Sequence, residues 1–185
     1  MKIALALLAL ILIGAGCSSP YYRLDPINRT APLRANASAL VAVPRDGADR
    51  LDTYEGTGKR IAQAVSMAFS NRLQRVEVMP RFEQQRVCLA AARAGSFDYL
   101  IIPAISSWTE RENDPSSRPE TIKLHVTTYD VRSSGKVAFV EITAHSKWAT
   151  LHGDELEKML AKPLAESVIW FFSPAGTPAP VGVAK

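Results

Sequence analysis

The sequence lacks the features that disulfide-rich, disordered or nucleic-acid-binding chains depend on. It has only two cysteines in 185 residues, which excludes a disulfide framework. Its 22 basic residues exceed its 18 acidic residues by a formal charge of only +4, which argues against a dedicated nucleic-acid binder with a strongly basic face. Because 47% of its residues are hydrophobic, the composition is not that of a disordered chain. We therefore expect one globular domain.

The hydrophobic run at the N-terminus is too short to remain as a membrane span. It extends from Ile3 to Ile13, which is 11 residues, whereas a transmembrane helix needs about 18 to 20. The run follows Lys2 and ends at small residues, an arrangement typical of the central region of a signal peptide. We therefore predict that residues 1–16 are a signal peptide.

Residues 13–17, with the sequence IGAGC, resemble the lipobox of bacterial lipoproteins. Gly14 stands where that pattern most often has leucine. The resemblance implies cleavage after Gly16, a diacylglyceryl group on the thiol of Cys17 and acylation of its new amino group, so that several acyl chains, palmitate among them, anchor the protein. The alternative is an ordinary secretory signal that is cleaved nearby and leaves Cys17 unmodified.

The lipobox also bears on the second cysteine and on the destination of the protein. With Cys17 lipidated, Cys88 has no partner in the chain, and we expect its thiol to be buried in the core. Ser18 and Ser19 follow Cys17, and by resemblance to lipoprotein sorting signals the absence of aspartate there favours the outer membrane, with the domain facing the periplasm.

Proline-containing segments border the predicted domain on both sides. Residues 17–37 contain three prolines and no sustained apolar period, and we interpret them as a lipidated tether. Residues 173–185 contain three prolines among glycine and alanine, and we predict a disordered tail. Residues 38–172 remain as one α/β periplasmic domain, without internal repeats.

Between residues 38 and 172, strand patterns alternate with helix patterns. The predicted strands are 40–44, 76–79, 97–105, 121–131 and 137–148, and the predicted helices are 57–73, 83–94 and a C-terminal helix from about 156 to 172, kinked or split at Pro163. The order β-α-β-α-β-β-β-α predicts a single-domain α/β sandwich of the three-layer type. Its mixed sheet ends in a C-terminal antiparallel hairpin, and its first crossovers are right-handed.

The element order and three short segments resemble the bacterial lipoprotein family called domain of unknown function 4823. The segments are YLIIP at 99–103, the turn between Tyr129 and Lys136, and SKWAT at 146–150 followed by Gly153 and Asp154. The architecture is more distantly similar to the curli secretion channel subunit, the Pel export lipoprotein and the activators of penicillin-binding proteins. Those are interaction and assembly proteins, and the likeness is a fold analogy without shared motifs, so it identifies no partner.

Residues 56–60, with the sequence GTGKR, begin a predicted helix, where free N–H groups favour an anion. The match to a phosphate-binding loop is superficial, because that motif needs glycine at position 53 and a hydroxyl residue at position 60, where this chain has Thr53 and Arg60. We interpret the segment as a flexible entry to the helix, with Lys59 and Arg60 in solvent.

The other reactive side chains do not form a catalytic or metal-binding pattern. His125 and His145 lie on the polar face of the hairpin, about 10 Å apart along a strand, and His152 lies in a loop. Cys88 lies on an apolar helix stripe, where a thiol is inert. The carboxylates form two clusters. One is loop charge, at Glu110, Glu112 and Asp114, and the other is charge at the start of the last helix, at Asp154, Glu155 and Glu157. We expect neither an enzyme nor a cofactor or metal site.

Three tryptophans are the remaining candidates for an interaction surface. Trp108 and Trp148 close strands, and Trp170 lies near the end of the last helix. If exposed, they form a binding surface, and if buried, they cap the core. Five arginines around the second helix present the same choice between an anion-binding face and a solvated one, namely Arg72, Arg75, Arg81, Arg86 and Arg93.

The sequence thus predicts an outer-membrane lipoprotein whose non-catalytic periplasmic domain binds another envelope component, a protein partner. The alternative within binding proteins is a self-associating subunit of an oligomeric ring in an export or secretion machine. The alternative of another class is an envelope enzyme. It requires a site where His125, His145 and a carboxylate meet within hydrogen-bond reach.

Overall fold

A computed structural model describes residues 21–48, 53–109, 121–145 and 156–178. Its strands are Tyr21–Arg29 (β1), Ser38–Val43 (β2), Gly47–Ala48 (β3), Thr53–Tyr54 (β4), Arg75–Phe82 (β5), Tyr99–Thr109 (β6), Thr121–Asp130 (β7) and Lys136–His145 (β8). Its helices are Thr57–Ser70 (α1), Gln85–Ala94 (α2) and Leu156–Phe172 (α3), and none of these described helices is long and apolar enough to cross a membrane. Pro163 lies inside α3, which continues through it.

Six strands form one mixed sheet in the order β1-β8-β7-β6-β2-β5. β2 is parallel to β5 and β6, and the other neighbours are antiparallel. The chain passes from β2 through α1 to one side, then from β5 through α2 back across β2 to β6. Because such crossovers are right-handed, α1 and α2 lie on opposite faces of the sheet.

The face that carries α1 holds the main apolar core. α3 packs beside α1 there, with the rings of Phe69 and Phe171 stacked 5.6 Å apart. Alternate residues of the hairpin point into this layer, and Leu124 of β7 lies opposite Ile142 of β8, both fully buried. The predicted α/β sandwich, its mixed sheet and its C-terminal hairpin are confirmed. β1 and the β3–β4 hairpin are additional elements.

The predicted tether is wrong over β1. Tyr22 and Leu24 are buried and pair with Ala144 and Ile142 of β8, so this segment is an edge strand of the sheet. Pro26 precedes an irregularity in the register of this strand, as is usual for proline on a sheet edge. Two alternating apolar side chains were too weak a pattern to distinguish from a linker.

The described part of the predicted disordered tail is also attached to the domain. Arg29 donates a hydrogen bond to the carbonyl oxygen of Pro174 at 2.8 Å, and Thr177 N–H donates to the same oxygen at 3.2 Å. Residues 173–178 therefore form a turn against the end of α3, and residues 179–185 lie outside the described residues.

Candidate functional site

A cleft opens where the three parallel strands β5, β2 and β6 end. The chain leaves β2 towards one face of the sheet and leaves β5 towards the other, so the two connections separate and leave a crevice between them. The crevice has a volume of about 450 Å³. Its walls are residues 42–48, residues 82–85 with Cys88, and residues 102–108 of β6.

An aromatic and cationic pair forms the mouth of this cleft. The side chain of Phe82 is 41% exposed. The guanidinium of Arg45, an exposed residue, lies 5.1 Å from the centre of that ring. Among the described residues, Arg45 has no carboxylate within ion-pair distance, so its charge is available to a ligand.

Trp108 closes the other end of the cleft and is held in place from one side. Its ring stacks on Tyr54 of β4 with the centroids 5.3 Å apart. The ring also rests on Gly47 of β3, where a Cβ atom would come within 2.7 Å of the indole Cε3. Trp108 is half-buried and lines the cleft, so of the two described tryptophans it is the one that belongs to this site.

The thiol of Cys88 in the floor of the cleft is unreactive. Cys88 is fully buried and free, as predicted, and its Sγ donates to the carbonyl oxygen of Glu83 at 3.5 Å. Burial raises the pKa of this thiol, so it stays protonated at neutral pH. A protonated thiol is a poor nucleophile.

The start of α1 is occupied by a side chain of the protein itself. The carboxylate of Asp46 accepts hydrogen bonds from Gly58 N–H at 2.7 Å and from Gly56 N–H at 3.1 Å. A Cβ at position 58 would lie 2.3 Å from the carbonyl oxygen of Pro44, so only glycine allows this approach. Because a carboxylate already occupies these donors, the segment is a helix entry and not a free anion site.

Lys59 and Arg60 at this helix start are both exposed, as expected. Arg60 also makes two 2.6 Å hydrogen bonds with the carboxylate of Glu157 in α3. The hydrogen bond from Arg60 holds the pKa of Glu157 below its usual range. This pair connects the first turns of α1 and α3.

The two described histidines do not converge. Nε2 of His125 lies 2.7 Å from Oε2 of Glu141, whereas Nδ1 of His145 lies 2.9 Å from Oγ1 of Thr121. Glu141 and His145 are four residues apart on β8, about 13 Å. Burial lowers the pKa of His145. Within the described residues, no group of three or more histidine, cysteine or acidic side chains is placed to hold a metal ion.

The hairpin register differs by one residue from the predicted one. His125 lies opposite Glu141 rather than position 142. The one-residue difference decides which side chain His125 contacts, because neighbouring strand positions point to opposite faces. The expected position of both histidines on the face away from the buried apolar residues is confirmed by the burial pattern of β7 and β8.

The proposed tryptophan surface is wrong for Trp170. This residue is only 8% exposed, and the guanidinium of Arg29 covers its ring at 4.6 Å. Trp170 therefore caps the core. Trp148 lies outside the described residues, as do Cys17, Ser18, Ser19 and His152 and the acidic residues Glu110, Glu112, Asp114, Asp154 and Glu155.

The arginines near α2 do not form a common anion-binding face. Arg75 donates to the carbonyl oxygen of Gly95 at 2.5 Å, and Arg81 pairs with Glu83 at 2.8 Å. Arg93 donates to the hydroxyl of Ser134 across the sheet end. Three of the five arginines therefore have local partners.

A second apolar depression lies between α1 and α3, with a volume of about 520 Å³. Met67 on α1 and Ile169 on α3 line it and are 61% and 53% exposed. Small side chains form its floor, namely Ala64, Ala68, Ala161 and Ala165. Exposed apolar surface of this kind is a feature of contacts between proteins.

Sequence analysis did not identify Phe82 and Arg45. The predicted second strand ended at Met79, before Pro80, whereas β5 continues through that proline to Phe82. Proline is tolerated there because β5 is an edge strand. The signal that could have identified Phe82 is an aromatic residue two positions after a proline near the end of a predicted strand.

Fold and cleft together define a class: a three-layer α/β sandwich domain with a crevice at the carboxyl ends of its parallel strands. The chain belongs to the family described as "Domain of unknown function (DUF4823)", which matches residues 31–169. This confirms the family resemblance drawn from the sequence. No curated protein matches the chain.

Several solved structures are similar to the chain. The PelC dodecamer from Paraburkholderia phytofirmans is 13% identical, with 78% of this chain and 96% of that chain aligned at a TM-score of 0.60. A DUF330 protein from Xanthomonas campestris is 17% identical, over 80% and 92% of the two chains, at 0.49. Lipoprotein GNA1162 from Neisseria meningitidis is 12% identical, over 72% and 98%, at 0.46. At these identities the likeness concerns the fold alone.

Proposed function

We propose that this protein is a lipid-anchored protein of the bacterial envelope whose α/β domain binds another envelope protein and has no catalytic activity of its own. The anchor is the lipid on Cys17, for which residues 13–17 give the support. The proposed location is the outer membrane with the domain in the periplasm, supported by the two serines that follow Cys17.

One observation carries the binding function: the cleft at the strand ends. It combines an exposed ring at Phe82, an indole at Trp108 and the guanidinium of Arg45, which has no ion pair among the described residues, around an apolar floor. A mostly apolar concavity with a few polar groups at its rim is the usual form of a recognition site. The separated histidines and the protonated Cys88 thiol support binding without catalysis.

The anchor is tested by intact mass and membrane fractionation of the native protein. We expect a mass equal to residues 17–185 plus acyl groups, in the outer-membrane fraction. A Cys17→Ser variant should move to the soluble fraction. An unmodified soluble wild-type protein would contradict the lipoprotein proposal.

The binding function is tested by photo-crosslinking in cells. A photoreactive amino acid at Ser107, exposed in the cleft wall, should capture a defined protein. The same amino acid at Gln63, exposed on α1 and away from the cleft, is the matched control. Equal capture at both positions would remove the cleft from the proposal.

The second candidate function is that of a subunit in an oligomeric ring, favoured by the apolar depression that Met67 and Ile169 border. PelC, which shares the fold, forms a dodecamer. Size-exclusion chromatography with light scattering separates the candidates, because a ring gives a large defined oligomer and an adaptor gives a monomer or dimer. If a ring forms, Met67→Glu should dissociate it.

A further inference from the structure

The cleft follows the edge of a strand rather than one face of the sheet. Residues 102–105 of β6 are consecutive, and all four line it. Alternate residues of a strand point to opposite faces, so a cavity over one face is lined by every second residue. Consecutive lining residues therefore mean that the cleft runs beside the backbone of β6.

This edge of β6 is open because its neighbour leaves early. β2 pairs with β6 only from Ala39 opposite Tyr99 to Val41 opposite Ile101, although β6 continues to Thr109. On its other side, β6 pairs with β7 along its whole length. Within the described chain, no strand pairs with residues 102–109 on the β2 side, and no backbone hydrogen bond joins them to residues 44–48.

We propose that the cleft binds an extended segment of a partner protein, which adds as a strand to the open edge of β6 and places an acidic side chain beside Arg45. This rests on the proposed binding function and specifies the partner. Strand addition satisfies the backbone groups of the edge, and pockets beside it select side chains. The edge from Ile102 to Ile105, ahead of the part of β6 where Gly47 of β3 packs on Trp108, is about 13 Å long, enough for about four residues of a bound strand.

The surroundings of the edge fix the chemistry of this segment. Phe82 and Ile105 present apolar surface to side chains on the bound strand, whereas Ser106 and Ser107 are exposed at its outer end. The cation at the mouth, Arg45, has no carboxylate partner in the described part of the chain and complements one on a ligand. The segment is therefore extended, has apolar residues at alternate positions and carries an acidic group near one end.

The test uses the full-length lipidated protein in detergent micelles and a defined peptide pool. The pool holds hexapeptides with Val, Ile or Leu at alternate positions, Thr between them and Glu at one end. The matched control pool has the same side chains, but every backbone amide is N-methylated, which removes the donors from both edges of the peptide. We expect members of the first pool to bind at least tenfold more tightly than their methylated counterparts.

Two variants test which residues of the cleft contact the bound peptide. Arg45→Gln should weaken binding of the acidic peptides about tenfold at low salt and leave peptides with Gln in place of Glu unchanged. Ala104→Arg, at an exposed position in the wall, should block the cleft, and Gln63→Arg is its control. Each variant must keep the unfolding temperature of the wild type, so that lost binding is not lost folding.

The outcomes separate this inference from the function on which it rests. Equal binding of the methylated peptides, or no binding in either pool, overturns strand addition. A protein captured from Ser107 in cells would then still support the cleft as an interface for a folded surface. No capture at Ser107 overturns the binding function itself.

Discussion

Replacing Gly47 by alanine tests how Trp108 is held in the cleft wall. The new Cβ would lie 2.7 Å from indole Cε3 and 3.1 Å from Cδ2, both closer than side-chain carbons approach. Overpacking of this kind costs about 1 to 3 kcal/mol. For a chain of this size, each kcal/mol lowers the unfolding temperature by about 2 to 4 °C. We also expect the tryptophan fluorescence to change, because the indole must leave its stack on Tyr54.

The specific assay is a double-mutant cycle. In a Trp108→Leu background the clash is removed, so Gly47→Ala should cost little there, giving a coupling of about 1 to 2 kcal/mol. Gly135→Ala is the matched control, because the nearest atom to its Cβ is the flexible hydroxyl of Ser133 at 3.2 Å. Equal costs for Gly47→Ala in both backgrounds would refute the packing described here.

Three further predictions concern the core, the helix pair and the thiol. Leu124→Ala should lower the free energy of unfolding in urea by about 2 to 5 kcal/mol, because the side chain is fully buried; a loss below 1 kcal/mol contradicts that burial. In Arg60→Gln, the pKa of Glu157 measured by NMR should rise towards its ordinary value of 4.5. In the wild type this carboxylate therefore contributes stability above pH 4.5, which is lost as the pH falls through its lowered pKa. Cys88 should react with a thiol reagent only when the protein is unfolded, and rapid reaction of the native protein would contradict its inert environment.

Strong periodic patterns made most of the fold predictable. The alternation of Ile122, Leu124 and Val126 is confirmed as the buried face of β7, and Cys88 is confirmed in the core. In each case burial of many apolar side chains on one face outweighs local preferences, so the pattern determines the structure.

The missed features depend on tertiary contacts that leave little local trace. β1 is held by two buried side chains and by its pairing with β8, and a segment with prolines gives the same local pattern as a linker. Trp170 is covered by Arg29, which is 141 residues away in the sequence. The cleft arises from the early departure of β2 from β6, a difference in strand length that only the register reveals.

The edge strand β1 also sets the distance between domain and membrane. With lipid on Cys17, four residue steps separate the acyl chains from Tyr21, a reach of at most about 14 Å. Tyr21 lies in one cross-sheet row with His145, Thr121 and Thr109, the row in which β6 ends. The short connection from Cys17 to β1 thus enters the domain at the same end of the sheet as the cleft. A partner then has to meet the protein close to the lipid headgroups, and inserting flexible residues after Ser19 would move the meeting point outwards.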